Sequence, residues 1–115
     1  MVLQVNNKAI SARHITSISP ILGNSYYFYF SIKVQDEKDF TVSHHFYPYI
    51  THMDDTNTPQ WQMAEAKALA YIRDIRSMII SAWAHVHQPR AVGTALVRDF
   101  KTHDNLIKVE DFRND

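Results

Sequence analysis

The clearest pattern in the chain is the alternation of apolar and polar residues in two neighbouring segments, residues 26–34 and residues 40–47. Both segments are rich in aromatic and β-branched side chains, which is typical of β-strands. The polar stretch around Asp36 joins them as a predicted antiparallel hairpin. One face of this hairpin is expected to carry the apolar set, which is Phe28, Phe30, Ile32, Val34, Phe40, Val42, His44 and Phe46.

The same alternation predicts how the two strands pair. It favours a register in which Val34 lies opposite Phe40 and Phe30 lies opposite His44. Because side chains alternate between faces, a slip of one residue would set apolar positions against polar ones. The faces of the two strands are therefore expected to be fixed by the sequence.

Two turns are predicted before this hairpin. The first lies at Asn6 and Asn7, between candidate strands at residues 2–5 and 9–18, because asparagine tolerates the positive φ that a tight hairpin requires. The second lies at residues 20–25, which contain a proline and a glycine.

One long helix is predicted in the second half of the chain. Thr58 and Pro59 form a typical helix start, and no glycine or proline follows until Pro89. At 1.5 Å per residue such a helix would be ~45 Å long, so we expect it either to end near Trp83 or to extend past the sheet. An extended end would need cover from the C-terminal segment or from a second chain. The predicted buried stripe is Trp61, Ala68, Ile72, Ile75, Ile79, Ala82 and Val86, flanked by Tyr71, Met78, Leu69 and Ile80.

Together these elements predict one α+β domain spanning residues 1–115. An antiparallel sheet of about four strands is packed by the helix, and a short irregular or β tail follows. Residues 94–100 and 106–109 are candidate strands of that tail, although a short helix followed by an extended tail fits the pattern equally well.

Composition and charge exclude several classes of function. The 115 residues contain no cysteine, which rules out disulfides, zinc ribbons and iron–sulfur clusters. Net charge is zero, and neither residues 1–58 nor residues 59–115 are basic enough to favour nucleic-acid binding. Residues 1–10 lack a signal-peptide pattern, and no apolar run reaches the length of a membrane span. We therefore expect a cytoplasmic protein that binds neither nucleic acid nor membrane.

Seven histidines raise the question of a metal site. His44 and His45 are neighbours in a predicted strand and so point to opposite faces. His85 and His87 diverge by about 160° if that stretch is helical, given ~100° per residue. The residues therefore predict no metal site.

Catalytic and cofactor motifs are also missing. The glycine-rich phosphate loops and the serine nucleophile motif do not occur. Asp54 and Asp55 lie before the predicted helix, where acidic residues commonly form a solvated turn. We predict no catalytic residues and no cofactor.

Two polar residues lie within or beside apolar stripes. For His44, a hydrogen-bonded position at the edge of the core is favoured over a pH-sensitive group. For Arg76, a side chain that extends its stem along the core is favoured over an interface anchor.

The second face of the strand pair carries the candidate binding residues, which are Tyr27, Tyr29, His45 and Tyr47. Clustered tyrosines are common at interfaces, because each ring offers an apolar body with a polar tip. Cover by another part of the chain explains the cluster equally well. Stacking on nucleobases is the least favoured interpretation, since the surroundings are not basic.

These observations favour a non-enzymatic protein-interaction or assembly module, with a protein partner or a second copy as its ligand. We expect the protein to form a homodimer through the tyrosine-rich face or through the far end of the helix. The alternative is a small-ligand-binding domain or enzyme, with a pocket between sheet and helix lined by His44. An inhibitor-like protein with a single partner is a third hypothesis.

Overall fold

The computed structural model of the protein describes residues 2–24, 26–46, 59–87 and 106–109. Within these residues the chain forms an antiparallel sheet and one long helix, which is the α+β class predicted from the sequence. The predictions that lie outside the described residues concern Tyr47, the Thr58 N-cap, the Asp54–Asp55 turn and residues 94–100.

The first hairpin forms as predicted. β1 (Val2–Val5) pairs with β2 (Lys8–Ser11) in an antiparallel two-stranded sheet. Asn6 and Asn7 connect them with φ angles of 49° and 65°. Two successive positive φ angles are the hallmark of the type I′ turn, whose twist matches that of the flanking strands.

The single strand predicted at residues 9–18 is wrong, because the chain turns in its middle. β2 ends at Ser11, a short 3-10 helix follows at Ala12–His14, and β3 begins as Ile15–Ile18. Ala12 is fully buried, so a small side chain lets this turn pack closely. The break frees β3 from the hairpin and allows it to join the main sheet.

The main sheet is built around one long strand, β5 (Tyr27–Val34). β6 (Phe40–His45) pairs along one side of β5. On the other side, β4 (Leu22–Gly23) pairs with the start of β5, and β3 pairs with its end. β7 (Ile107–Lys108) then pairs with β3, so β4, β6 and β7 each have a single partner strand among the described residues.

The predicted register of β5 and β6 is wrong by two residues. Phe30 lies opposite Val42 rather than opposite His44. A shift of two residues keeps every side chain on its own face, since the side-chain period of a strand is two. The prediction of which residues share a face is therefore confirmed although the pairing is not.

The physical reason lies in the connection between the two strands. β5 continues to Val34, which pairs with β3, whereas β6 begins at Phe40 opposite Ile32. The Glu37 amide donates to the Val34 carbonyl oxygen at 3.2 Å, and Asp36 has a φ of 61°. Lys33 and Val34 pair with β3 and have no partner in β6, so Phe40 lies opposite Ile32 rather than opposite Val34.

The helix α1 spans Pro59–His87, which is 29 residues without a break. Pro59 occupies its first position, as predicted. At 1.5 Å per residue the helix is about 43 Å long. The helix therefore continues four residues past Trp83 instead of ending there.

The buried stripe of α1 is rotated from the predicted one. Ile72 and Ile79 are fully buried as expected, but Ile75 is only partly buried. Arg76, Ile80 and Trp83 are fully buried instead. The apolar arc of this helix is broad, and periodicity alone does not decide which part of a broad arc meets a twisted sheet.

The core that covers α1 comes from both ends of the chain. Trp83 and Ile107 belong to one buried cluster, which also contains Val5 and Ile10 of the first hairpin. A second cluster lies near the start of the helix, where Trp61 meets Phe46. The first hairpin and β7 thus contribute side chains to the same core as the second half of the helix.

Candidate functional site

The aromatic cluster predicted on the second sheet face forms around three side chains. Tyr27 and Tyr29 are two residues apart on β5, with ring centroids 5.6 Å apart. His45 lies directly opposite Tyr27 on β6, with ring centroids 4.8 Å apart. We call Tyr27, Tyr29 and His45 the tyrosine face. Both tyrosines are half-buried and His45 is exposed.

The start of β5 is held by one asparagine. The Asn24 side-chain oxygen accepts hydrogen bonds from the amides of Tyr26 and Tyr27, at 2.7 and 3.0 Å. An asparagine that bonds the backbone two or three residues ahead is a typical turn former. This local bond fixes where Tyr27 enters the strand, and with it the face on which both tyrosines lie.

The sequence did not predict one neighbour of the tyrosine face. Leu22 of β4 pairs with Tyr29 and is 48% exposed. Gly23 and Asn24 indicated only a turn here, because a strand of two residues is too short to show an alternation. Gly23 is required by close approach, since a Cβ atom there would lie 2.8 Å from the Phe28 ring.

The opposite sheet face carries His44, which stacks on the helix. Its imidazole lies 4.0 Å from the Tyr71 ring, centroid to centroid, with an interplanar angle of 24°. Burial, and to a lesser degree the neighbouring His45, lowers the pKa of His44 from its usual 6.5. The placement at the edge of the core is as predicted, whereas the hydrogen bond expected for His44 stays a prediction. The lowered pKa means that the neutral ring is preferred.

This pKa predicts the direction in which stability depends on pH. A lowered folded-state pKa means that the unfolded chain binds more protons below pH 6.5, so acidification destabilises the fold. We expect the melting temperature to fall from its value above pH 6.5 as the pH drops toward the folded-state pKa of His44. His44→Gln should flatten this slope, and Tyr71→Ala should raise the His44 pKa by exposing the ring to water. Thermal unfolding across pH and histidine NMR titration measure both effects. A His44 resonance that titrates at or above 6.5 would contradict the expectation.

Neither interpretation of Arg76 made from the sequence is correct. Its side chain is fully buried, and Nε donates to the Ser19 carbonyl oxygen at 2.9 Å. Ser19 is itself tied to β5, because its amide donates to the Ser31 carbonyl oxygen and its hydroxyl accepts from the Ser31 amide. Arg76 thus joins the helix to the end of β3 and to β5, and is part of the framework behind the tyrosine face.

The described residues define few other chemical groups of interest. No three histidine or acidic side chains within them are grouped closely enough to hold a metal ion. In the part of the chain that the structure covers, no helix is long and apolar enough to cross a membrane.

No family model, no curated protein and no solved structure matches the chain. The tyrosine face is therefore the strongest candidate site on physical grounds.

Proposed function

We propose that this protein is a non-enzymatic, self-associating interaction module whose tyrosine face contacts a protein partner. The observation that carries the proposal is the contact of three ring side chains on the sheet face that points away from α1. Tyrosine gives a large contact area at low cost in conformational entropy, and its hydroxyl remains able to hydrogen-bond at a wet interface.

The composition of the surrounding face supports the same proposal. The positions that share this face with the tyrosines carry hydroxyl or basic groups, and Leu22 adds an exposed apolar contact. An aromatic centre with a polar rim is the usual anatomy of a protein interface. The polar positions are Ser17, Ser31, Lys33, Thr41, Ser43 and Lys108.

The packing around His44 favours this function over a ligand pocket between sheet and helix. His44 is covered by Tyr71 on the helix side. Beside it, the Phe28 and Phe46 rings lie 5.4 Å apart, and Phe46 meets Trp61 at 5.3 Å. Aromatic side chains thus pack around His44 on the side that such a pocket would use.

Truncation of the tyrosines tests the proposal. We expect Tyr27→Ala and Tyr29→Ala to lower the free energy of unfolding by only about 1 kcal/mol each, well below the ~3–5 kcal/mol of a buried aromatic ring. The double variant should lose partner binding by at least about tenfold, as truncated interface anchors do. Urea denaturation gives the first quantity. Quantitative capture from the native cell, with the wild-type chain as reference, gives the second.

The matched control is Met78→Ala, which truncates a side chain that is 53% exposed on α1. A genuine partner of the tyrosine face should be retained by this variant and lost by the tyrosine double variant. A protein lost from the Met78 variant alone would place binding on the helix and refute the proposal. A loss of several kcal/mol in either tyrosine variant would show that these rings belong to the core.

A further inference from the structure

The outer strand β6 has a regular alternation of backbone groups. The Phe46 amide donates to the Tyr26 carbonyl oxygen at 3.0 Å. In an antiparallel ladder only alternate residues turn their N–H and C=O groups toward the same neighbour. With the observed register, residues 40, 42 and 44 therefore bond to β5. Thr41, Ser43 and His45 turn their backbone groups outward, and among the described residues β6 pairs with β5 alone.

This edge lacks the usual features that prevent pairing between sheets. Its sequence, FTVSHH, contains no lysine, no acidic residue and no proline. Its six pairs with β5 run in one register, without a bulge. Natural edge strands are normally protected by such charges, prolines or bulges, because free backbone groups readily accept another strand. The other strands that have a single partner among the described residues, β4 and β7, offer only two residues each.

The outward groups are also self-complementary. If a second β6 lies antiparallel with Ser43 facing its own copy, Thr41 of each chain lies opposite His45 of the other. All three residues then exchange both backbone hydrogen bonds with the facing strand. The central pair is two small hydroxyl side chains, and none of the three outward residues is acidic or a lysine. The zero net charge of the chain adds little repulsion between copies.

We propose that two copies of this chain pair through β6, centred on Ser43, and so join their sheets into one continuous sheet. The two tyrosine faces then lie on the same side of that sheet, because the symmetry axis runs perpendicular to it. With strands ~4.8 Å apart, the two β5 strands lie about 14 Å from each other. The dimer presents one binding surface with two aromatic patches. This inference rests on the proposed function, because it identifies how the module self-associates.

Amide hydrogen exchange on the full chain over a dilution series tests the pairing directly. We expect the amides of Thr41, Ser43 and His45 to gain protection as the protein concentration rises. The amides of Val42 and His44 should be protected at every concentration, since they bond within the chain. Equal behaviour of the two sets would overturn the proposal, and so would a chain that remains monomeric by light scattering at its highest soluble concentration.

Charge variants at the symmetry axis give the second test. Ser43→Lys and Ser43→Glu each place like charges opposite one another, so each should weaken self-association about tenfold. An equimolar mixture of the two should restore it, because opposite charges then face each other. Gln4→Lys and Gln4→Glu are the matched controls on the exposed part of β1 and should leave self-association unchanged.

The outcomes separate this inference from the proposed function. Self-association that is insensitive to the Ser43 variants but lost in the Tyr27→Ala, Tyr29→Ala double variant would overturn the β6 pairing and leave the proposed function standing. Loss in either Ser43 variant with recovery in the mixture supports the pairing. Protection of the outward amides by an added extended peptide, without self-association, would assign the edge to another occupant and overturn the proposal.

Discussion

Arg76→Ala is expected to lower the free energy of unfolding by about 3 kcal/mol. The substitution leaves a cavity where a large, fully buried side chain had been, and such cavities cost ~2–5 kcal/mol in the cores of other proteins. It also removes the donor to the Ser19 carbonyl oxygen, and a buried acceptor left without its partner costs ~1–3 kcal/mol. Relief from burying a charge offsets part of this loss. Urea denaturation followed by circular dichroism measures the result.

Three further variants separate the contributions. Arg73→Ala is the matched control, since Arg73 is exposed one turn earlier on the same helix, and its effect should stay within about 0.5 kcal/mol. Arg76→Met keeps most of the volume and removes the charge, so it should lose less than Arg76→Ala. Arg76→Lys keeps the charge without the planar donor group and should remain weaker than wild type. An Arg76→Ala chain as stable as Arg73→Ala would contradict the buried position of this side chain.

Ile79→Asp is expected to prevent folding. Ile79 is fully buried in the main cluster. A carboxylate placed there without a partner costs several kcal/mol, which is comparable to the whole stability of a typical domain, about 5–15 kcal/mol. The variant should show no cooperative unfolding transition, and the fluorescence of the buried Trp61 and Trp83 should shift toward that of solvent-exposed indole.

The neighbouring residue supplies the control. Met78→Asp introduces the same side chain one position earlier, where the native side chain is 53% exposed. Both variants carry the same helix-propensity cost, below about 1 kcal/mol, so the difference between them reports burial. Ile75→Asp should fall between the two, because Ile75 is partly buried at the margin of the core. Equal stability of the Ile79 and Met78 variants would mean that a different side of α1 meets the sheet.

The strand predictions show which features of the sheet the alternation of apolar and polar residues determines and which it does not. It assigned the apolar residues of β5 and β6 to one face correctly, because a face depends only on whether a position is odd or even. It gave the wrong pairing because a shift of two residues leaves that parity unchanged. Nothing in the alternation shows that the last two residues of β5 pair with β3 and that β6 begins opposite Ile32.

Local sequence patterns also account for what was predicted and what was missed in the N-terminal region and in the helix. Asn6 and Asn7 identified a tight turn, because few residues other than glycine adopt positive φ readily. Residues 12–14 carry no such local signal, and the 3-10 turn there depends on the burial of Ala12. On α1, Arg76 was assigned to the margin because its charge favours water. It is buried because a backbone acceptor at Ser19 happens to meet it.

The candidate site was likewise predicted only in part from the sequence. Tyr27, Tyr29 and His45 were placed on one face from parity, and the structure brings their rings within 6 Å of a neighbour in the cluster. Leu22 joined them only through a strand of two residues. That β6 pairs with β5 alone among the described residues was not visible in the sequence, because an edge is defined by which strands fail to pair.

The sequence by itself determined the α+β class, the turn at Asn6, the start of α1 at Pro59 and the parity of each strand in the central pair. Each of these depends on backbone preferences or on periodicity within one segment. Tertiary structure alone decided the register, the side of α1 that is buried, the position of Arg76 and, among the described residues, the pairing of β6 with β5 alone. Each of these depends on which distant segments meet, and that choice rests on the packing of the whole core.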